Sequence, residues 1–446
     1  MLPFYTKWLS IEEYGITDTI TIYSMFILGI VSAGITEAIF IFPKDRSREV
    51  QKAYFSTGLA YIISSLISGF FLFLGVQQIL LILNVEGIFV KYNHWIFLIV
   101  LSMFLQSYMQ QFSRSIDKTK VYAIMGIIHA TVTAILSFIL IPKYQLEGFL
   151  LSQFFAFLSS AGYSFIHTRS YQYFNIYYVG QKRLLEMLRY SIPLVPNGIM
   201  WLFISSLNRP MLEYYLGVKE IGLFAVANKF PSILITVFSV FIFSWQTSVL
   251  EEFKKSGYSD FYNKVLRLIF LVLTLIACLL TIFSKVIIRI IADDKFIDAW
   301  YILPILFLSV IFSSISAFVG TNFLATRKSK YYFYSSIWGA GSSIVLNLIL
   351  IPLFGISGAA IAVVLSYGVM ALSRIKYTWN VVKIDNIKVY ISMLVLHLLF
   401  VLITLFMDNI VIKNVLYVSL FMAILVLNGS VLSTLKKYII NTYNKK

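Results

Sequence analysis

Cysteine and charge are both scarce in this sequence. A single cysteine, Cys278, occurs among 446 residues and lies inside an apolar run. Disulfides, cysteine-based zinc sites and paired redox cysteines are therefore excluded. Asp, Glu, Lys and Arg together make up 13% of the chain, against roughly 25% in soluble domains. These proportions exclude a water-soluble globular protein.

The motifs that mark common catalytic sites are also missing. The chain contains no Gly-x-x-x-x-Gly-Lys phosphate loop, no Gly-x-Ser-x-Gly elbow, no His-Glu-x-x-His and no dinucleotide fingerprint. His129 and His397 have no His, Cys or carboxylate at metal-ligand spacing. We therefore expect a protein that is not an enzyme, with no cofactor and no metal site, and an ATP-driven pump is disfavoured.

Apolar residues dominate what remains. They form 59% of the sequence, and the mean hydropathy is +0.84. Thirteen apolar runs are long enough to cross a bilayer, which takes about 20 residues as a helix. They are too long for barrel strands, so the expected fold is all-α and polytopic. The runs cover residues 16–42, 54–74, 95–112, 121–141, 148–166, 192–207, 222–249, 266–282, 301–324, 331–351, 358–371, 389–407 and 415–435.

The Lys and Arg residues behind the net charge of +16 are concentrated in the connections on one side of the membrane. With the runs numbered as helices 2 to 14, alternate connections and the C-terminal tail hold 26 of the 36 Lys and Arg residues, and the other connections hold eight. Arg374 is counted among the 26, in the connection before helix 13. Cytoplasmic connections carry the excess of Lys and Arg. This bias places the C-terminus in the cytoplasm, and it makes the charge a topology signal that implies no nucleic-acid partner.

The two halves of the chain repeat one another. Ile-Leu-Ile-Pro at 139–142 recurs at 349–352, and Gly148 recurs as Gly358, all at an offset of 210 residues. The offset carries cytoplasmic connections onto cytoplasmic connections, so the halves are parallel repeats, a known transporter plan. The alternative is coincidence, because Pro and Gly break helices wherever these end. At an offset of 207, Pro3, Glu13 and Gly15 match Pro210, Glu220 and Gly222.

This repeat predicts the domain organisation. A whole apolar helix precedes Pro210, whereas two residues precede Pro3, so the first half has only a remnant of its helix 1. We expect either a start further upstream or a truncated chain. The predicted N-terminal lobe is 1–180, from this remnant to helix 6, and the C-terminal lobe is 181–384, with helices 7 to 12. Residues 385–446 form appended helices 13 and 14 with a basic cytoplasmic tail, and a cavity between the lobes is the expected binding place.

An ordered set of motifs resembles the oligosaccharide flippases, the Wzx-type polysaccharide transporters of the superfamily that also holds MATE multidrug antiporters and peptidoglycan-precursor flippases. The resemblance covers nearly the whole chain. Members often carry Asp where this chain has Asn208, and often Arg near Ile41. The motifs are Leu9-Ser-x-Glu-Glu-Tyr-Gly15, Gly34-x-x-Glu37-Ala-Ile-Phe40, Ser191-Ile-Pro-x-x-Pro-Asn197, Asn208-Arg-Pro-Met-Leu212, Gly217-x-x-Glu220-Ile-Gly-Leu-Phe-Ala225, Leu350-Ile-Pro-x-x-Gly355 and Gly358-Ala-Ala-Ile-Ala362.

The resemblance implies a function in surface polysaccharide assembly. Such a protein moves an undecaprenyl-diphosphate-linked oligosaccharide from the inner to the outer leaflet of the bacterial cytoplasmic membrane by alternating access between two six-helix lobes. Its partners would be that glycan, the membrane lipids, a coupling proton or Na⁺, and other membrane proteins of polysaccharide assembly. The alternative within the superfamily is a MATE-like multidrug or cation antiporter. A polysaccharide polymerase is disfavoured, since the longest connections lie on the basic side.

Charged residues inside spans are candidate functional residues, because burying a charge in a bilayer is costly. Lys229 lies within helix 8, two residues before Pro231, and Arg209 ends helix 7. Both are predicted to bind the diphosphate, whose oxygens need cations in a low dielectric. The alternatives are that Arg209 extends to the outer interface and that Lys229 pairs structurally with Asp18 or Glu37.

Acidic and amide side chains complete the candidate site. Asp18 and Glu37 flank helix 2 and are predicted to bind a coupling proton or Na⁺, or to form a gate; solvation at the membrane interface is the alternative. Asn197 and Asn228 are candidate sugar contacts, although amides more often join membrane helices to one another.

Overall fold

The fold of the chain is known from a computed structural model, which describes residues 1–84, 86–326, 328–429 and 433. Arg327, the end of predicted helix 14 and the basic tail lie outside the described residues. Within them there are seventeen α-helices and no strand. The helices are α1 Leu2–Trp8, α2 Ile11–Val31, α3 Ile35–Ile41, α4 Arg48–Ile82, α5 Ile88–Lys91, α6 Asn93–Ser115, α7 Thr119–His167, α8 Gln181–Ser191, α9 Val195–Ser206, α10 Asn208–Leu216, α11 Val218–Glu252, α12 Tyr258–Ile282, α13 Ser284–Ile291, α14 Leu303–Ala325, α15 Ser329–Thr378, α16 Ile387–Phe406 and α17 Ile410–Leu427.

Eleven helical segments of the described chain are long and apolar enough to cross a membrane. Two of them, α7 and α15, are hairpins of two helices. In α7 the hydroxyls of Ser137 and Ser152 lie 3.0 Å apart, whereas fifteen residues of straight helix would separate them by about 22 Å. The eleven segments thus accommodate the thirteen crossings that the apolar runs predict.

The structure confirms the repeat at the backbone level. The hairpin of α7 turns at Gln145, with φ 46° and ψ −119°, and the hairpin of α15 turns at Gly355, with φ 59° and ψ −138°. These positions are 210 residues apart. Gly148 and Gly358 then let each returning helix approach the first one closely, because an added Cβ would lie 2.4 and 1.9 Å from the carbonyl oxygens of Leu140 and Leu350. Coincidence does not explain two turns of the same geometry at the same offset.

The predicted single span at 16–42 is wrong, because the helix breaks within it. Ala33 and Gly34 take left-handed conformations, with φ 44° and 71°, and separate α2 from α3. The Ser191 hydroxyl donates a hydrogen bond to the Ala33 carbonyl at 2.7 Å, so a contact distant in sequence holds the break. As a result, Asp18 and Glu37 lie on different helices.

The first flippase-like motif has a structural explanation. The Ser10 hydroxyl accepts from the Glu13 amide at 3.0 Å, and the Glu13 carboxylate accepts from the Ser10 amide at 2.8 Å, forming a capping box that begins α2. One turn further on, Gly15 packs against the backbone of Gly222, since a Cβ there would lie 2.7 Å from the Gly222 nitrogen. Two repeat-equivalent glycines therefore permit a close crossing of α2 and α11.

By its internal contacts the chain divides into two compact units. The first comprises Met1–Leu202 and Gly217–Gly222, and the second comprises Phe203–Leu216 and the described residues from Leu223 onward. The core of the first unit surrounds Phe55, whose ring packs against that of Phe112 with centroids 4.4 Å apart. The core of the second surrounds α14, where Phe318 lies 4.5 Å from the ring of Trp245. The lobes predicted at 1–180, 181–384 and 385–446 stay predictions.

Arg374 is not the loop cation that the charge count assumes. It lies inside α15 and is 0% exposed. Its guanidinium donates to the Ser335 hydroxyl at 3.1 Å, the Ser316 carbonyl at 2.7 Å and the Ser336 hydroxyl at 3.2 Å, and it lies 4.3 Å from the centre of the Tyr332 ring. The buried guanidinium of Arg374, on the second arm of the α15 hairpin, thus links that arm to the first arm and to α14.

Candidate functional site

A polar stripe runs along α11 and includes Lys229. Lys229, Ser232 and Thr236 are exposed, and Ser239 is partly exposed. At 3.6 residues per turn these four positions fall within about a quarter of the helix circumference. Each hydroxyl donates to a backbone carbonyl of its own helix at 2.7 or 2.8 Å, so the three hydroxyls need no acceptor outside the helix. A cation and three hydroxyls on one face of a membrane-crossing helix suit contact with water or a polar substrate and not with acyl chains.

Arg209 has different surroundings. It is 2% exposed and follows Asn208 at the junction of α9 and α10. Its Nη1 donates to the Ser205 carbonyl at 2.9 Å and to the Asn208 Oδ1 at 2.7 Å, and its Cζ lies 4.8 Å from the centre of the Phe224 ring. A cation is favourable at the carbonyl end of a helix. Arg209 therefore closes the end of α9 and does not extend to an interface.

The two predicted phosphate ligands do not share one face of α11. Phe224, against which Arg209 packs, precedes Lys229 by five residues, which places the two side chains about 140° apart around the helix axis. The guanidinium lies on a buried face and the ammonium on the exposed one. Within the second unit, these side chains support different roles.

The remaining predicted residues are dispersed over the two units. Asp18 is partly buried on α2, and Glu37 is exposed on α3. Asn197 is partly buried in α9 of the first unit. Asn228 is partly buried beside Lys229 in α11, and its carbonyl accepts the Ser232 hydroxyl at 2.7 Å. Asn228 and Lys229 are neighbours because they are consecutive in α11, and their side chains point about 100° apart around the helix axis.

His397 is buried and His129 is partly buried, and each has a partner that sequence spacing does not reveal. The His397 Nδ1 lies 3.3 Å from the Cys278 sulfur, 119 residues away in the sequence. His129 packs against Phe157 in a tilted arrangement, with ring centroids 4.6 Å apart. Over the part of the chain that the structure describes, no group of three His, Cys, Asp or Glu residues could hold a metal ion.

Solved structures similar to this chain are transporters. The lipid II flippase MurJ, in an inward closed conformation, matches with a TM-score of 0.66 and 16% identity over 95% of this chain and 94% of that one. A MATE family multidrug resistance transporter of the MOP superfamily, in an inward-facing conformation, matches with a TM-score of 0.68 and 11% identity over 84% and 91%. At such identities the likeness concerns the fold. With its many spans, the chain is a multi-pass membrane protein with the fold of MOP superfamily transporters.

Sequence comparison gives the family. The chain belongs to the polysaccharide biosynthesis protein family, whose profile matches residues 1–249. A membrane protein of Methanocaldococcus jannaschii is 25% identical over 207 residues, which cover 44% of this chain and 39% of that protein. The chain thus matches about two-fifths of the length of this relative. These findings confirm the predicted resemblance and the all-α polytopic fold.

Proposed function

We propose that this protein flips an undecaprenyl-diphosphate-linked oligosaccharide from the inner to the outer leaflet of the bacterial cytoplasmic membrane. The movement would take place by alternating access, and the flipped oligosaccharide would serve surface polysaccharide assembly. The C-terminus would lie in the cytoplasm. Membership of the polysaccharide biosynthesis family and the fold shared with a lipid II flippase support the proposal.

The exposed Lys229 is the observation that carries this proposal. Lys229 lies on the polar stripe of α11, where a cation facing acyl chains would be costly. A lipid-linked diphosphate presents anionic oxygens that bind an ammonium through charge-assisted hydrogen bonds. The hydroxyls of Ser232 and Thr236 on the same face suit the sugar that follows the diphosphate.

The other candidate residues take supporting roles in this proposal. Arg209 would have to leave the Ser205 carbonyl and the Asn208 amide to bind phosphate, so we assign it the positioning of α11 through Phe224. Asn228 and Asn197 are proposed sugar contacts. Asp18 and Glu37 remain the proposed sites for a coupling proton or Na⁺, or for a gate.

A multidrug or cation antiporter is the second candidate function. The structural match to a MATE family transporter, with a TM-score of 0.68, favours it. A cationic drug would be repelled by Lys229, however, and a protein that binds such a drug needs a carboxylate on its exposed polar face. The sign of the charge on the α11 stripe therefore supports the flippase.

The proposal is tested with protein reconstituted into liposomes and supplied with a fluorescent undecaprenyl-diphosphate oligosaccharide. Removing a hydrogen bond to a charged group costs about 1.5–3 kcal/mol, so Lys229→Gln should slow flipping by about ten- to a hundredfold. Lys219→Gln, an exposed lysine in the first turn of the same helix, is the matched control and should flip normally. Equal rates for the two variants would remove Lys229 from the site.

A further inference from the structure

A short connection of the first unit, residues 170–180, is fixed to α4 by buried hydroxyls. The Ser56 hydroxyl donates to the Tyr173 carbonyl at 3.0 Å and accepts from the Asn175 amide at 2.9 Å. The neighbouring Thr57 hydroxyl accepts from the Gly180 amide at 3.3 Å. Since Ser56 and Thr57 are themselves buried, the connection is held in one conformation.

This fixed connection presents two large apolar side chains to the outside. Ile176 is 70% exposed and Tyr177 is 93% exposed. The side chain of Asn175 accepts a hydrogen bond from the Tyr177 amide at 3.0 Å, which caps the short turn that carries them. Tyrosine is enriched at the level of lipid headgroups, because its ring is apolar and its hydroxyl is polar.

The helix that follows, α8, has two dissimilar faces. Met187 and Ser191 are buried on the face toward the rest of the unit. On the opposite face Lys182, Leu185 and Arg189 are exposed, and they fall within about 60° of the helix circumference at 3.6 residues per turn. An apolar residue flanked by cations on an exposed helical stripe is typical of helices that lie in a membrane interface.

The charge around this stripe is mainly positive. Arg183 is held in place by a hydrogen bond from its Nη1 to the Tyr178 carbonyl at 3.1 Å, and Arg48 lies 5.6 Å from the Tyr173 ring. The acidic residue Glu186 accepts from the Tyr54 hydroxyl at 2.8 Å. The cations on α8, on the neighbouring start of α4 and just before α4 are Arg46, Arg48, Lys52, Lys182, Arg183 and Arg189.

We propose that residues 174–190, which we name the interfacial segment, form a binding surface for anionic phospholipid headgroups. The apolar tip at Ile176 and Tyr177 enters the headgroup layer, and Lys182 and Arg189 contact the lipid phosphates. Attachment to α4 fixes the positions of the apolar tip and the cations relative to each other. Binding therefore does not cost the conformational entropy of ordering the segment. This inference is independent of the flipped substrate.

The experiment uses the full chain in nanodiscs of phosphatidylcholine alone or mixed equally with phosphatidylglycerol. Each cation near an anionic surface contributes about 1 kcal/mol, so the double variant Lys182→Gln, Arg189→Gln should bind phosphatidylglycerol about thirtyfold more weakly than the natural protein. Tyr177→Ser should also weaken binding. Because all three side chains are exposed, the variants should unfold at the natural temperature in phosphatidylcholine.

A matched control carries the same change of charge elsewhere. Lys254→Gln, Lys264→Gln removes two exposed lysines of the second unit and should retain natural affinity for phosphatidylglycerol. Equal losses in both double variants would show that net charge alone attracts the lipid and would overturn the proposal. It would also be overturned if inorganic phosphate competed as well as the lipid, since the surface would then bind a free ion.

Discussion

Replacing Arg374 with lysine should destabilise the second unit more than replacing it with methionine. From the second arm of α15, the guanidinium contacts two hydroxyls and one aromatic ring on the first arm and one carbonyl on α14. A lysine keeps the charge but has a single ammonium, which lacks the planar fork that reaches these groups together. A buried cation would thus be left with fewer partners, whereas methionine removes the cation itself.

The magnitude follows from these contacts. Polar contacts between membrane helices average about 0.6 kcal/mol each, so three hydrogen bonds contribute about 2 kcal/mol, and a desolvated cation–π contact adds about 2 kcal/mol. Losing most of them while the charge stays buried should lower the free energy of unfolding of Arg374→Lys by about 3 kcal/mol. Arg374→Met should lose about 1 kcal/mol, because the cost of burying the cation disappears with it.

The chain carries its own reporter for this measurement. Cys278 is the only cysteine in the sequence and is 0% exposed in the structure, so a maleimide fluorophore should label it when the second unit unfolds. The midpoint of labelling in a denaturant titration gives the stability of each variant in micelles. Lys376→Met, at an exposed position two residues along the same helix, should leave the midpoint unchanged. If Arg374→Lys were as stable as the natural protein, the guanidinium of Arg374 would not stabilise the second unit as proposed.

Three further predictions concern stability. Gln145 has a backbone conformation that favours glycine, so Gln145→Gly should raise the free energy of unfolding by about 1 kcal/mol. At the equivalent position, Gly355→Ala should lower the free energy of unfolding by a similar amount. Denaturant titrations of the two variants should therefore give changes of opposite sign. Ser10→Ala removes one half of the capping box and should lower the free energy of unfolding by about 1 kcal/mol. Amide hydrogen exchange at the start of α2 should become faster, and slower exchange would contradict the role of the cap. Arg209→Gln should lower the labelling midpoint of Cys278 more than Lys229→Gln does, because Arg209 is buried and Lys229 is exposed, and the reverse order would contradict the roles assigned to these cations.

The crossings and the repeat could be predicted from the sequence because the relevant signals are local. Apolar runs of spanning length identify the crossings, and the glycines at 148 and 358 fix where each hairpin closes. The polar stripe of α11 also has a local signal, since Lys229, Ser232 and Thr236 follow helical spacing. This signal lies in the residues three and four positions from the cation, and Lys229 considered alone does not carry it.

Other features depend on contacts between distant residues. The run at 16–42 reads as one helix, and its break at Gly34 is held by Ser191. Arg374 is close in sequence to a basic connection, and its buried position follows from packing against α14. Cys278 approaches His397 across 119 residues, which no spacing rule anticipates.

The most direct test of the proposed function compares two substrates in the same proteoliposomes. The natural protein should flip a fluorescent undecaprenyl-diphosphate oligosaccharide and should not export a fluorescent organic cation, because the polar stripe of Lys229, Ser232, Thr236 and Ser239 carries an ammonium and no carboxylate. Export of the cation with no flipping of the lipid-linked glycan would contradict the account and favour the antiporter.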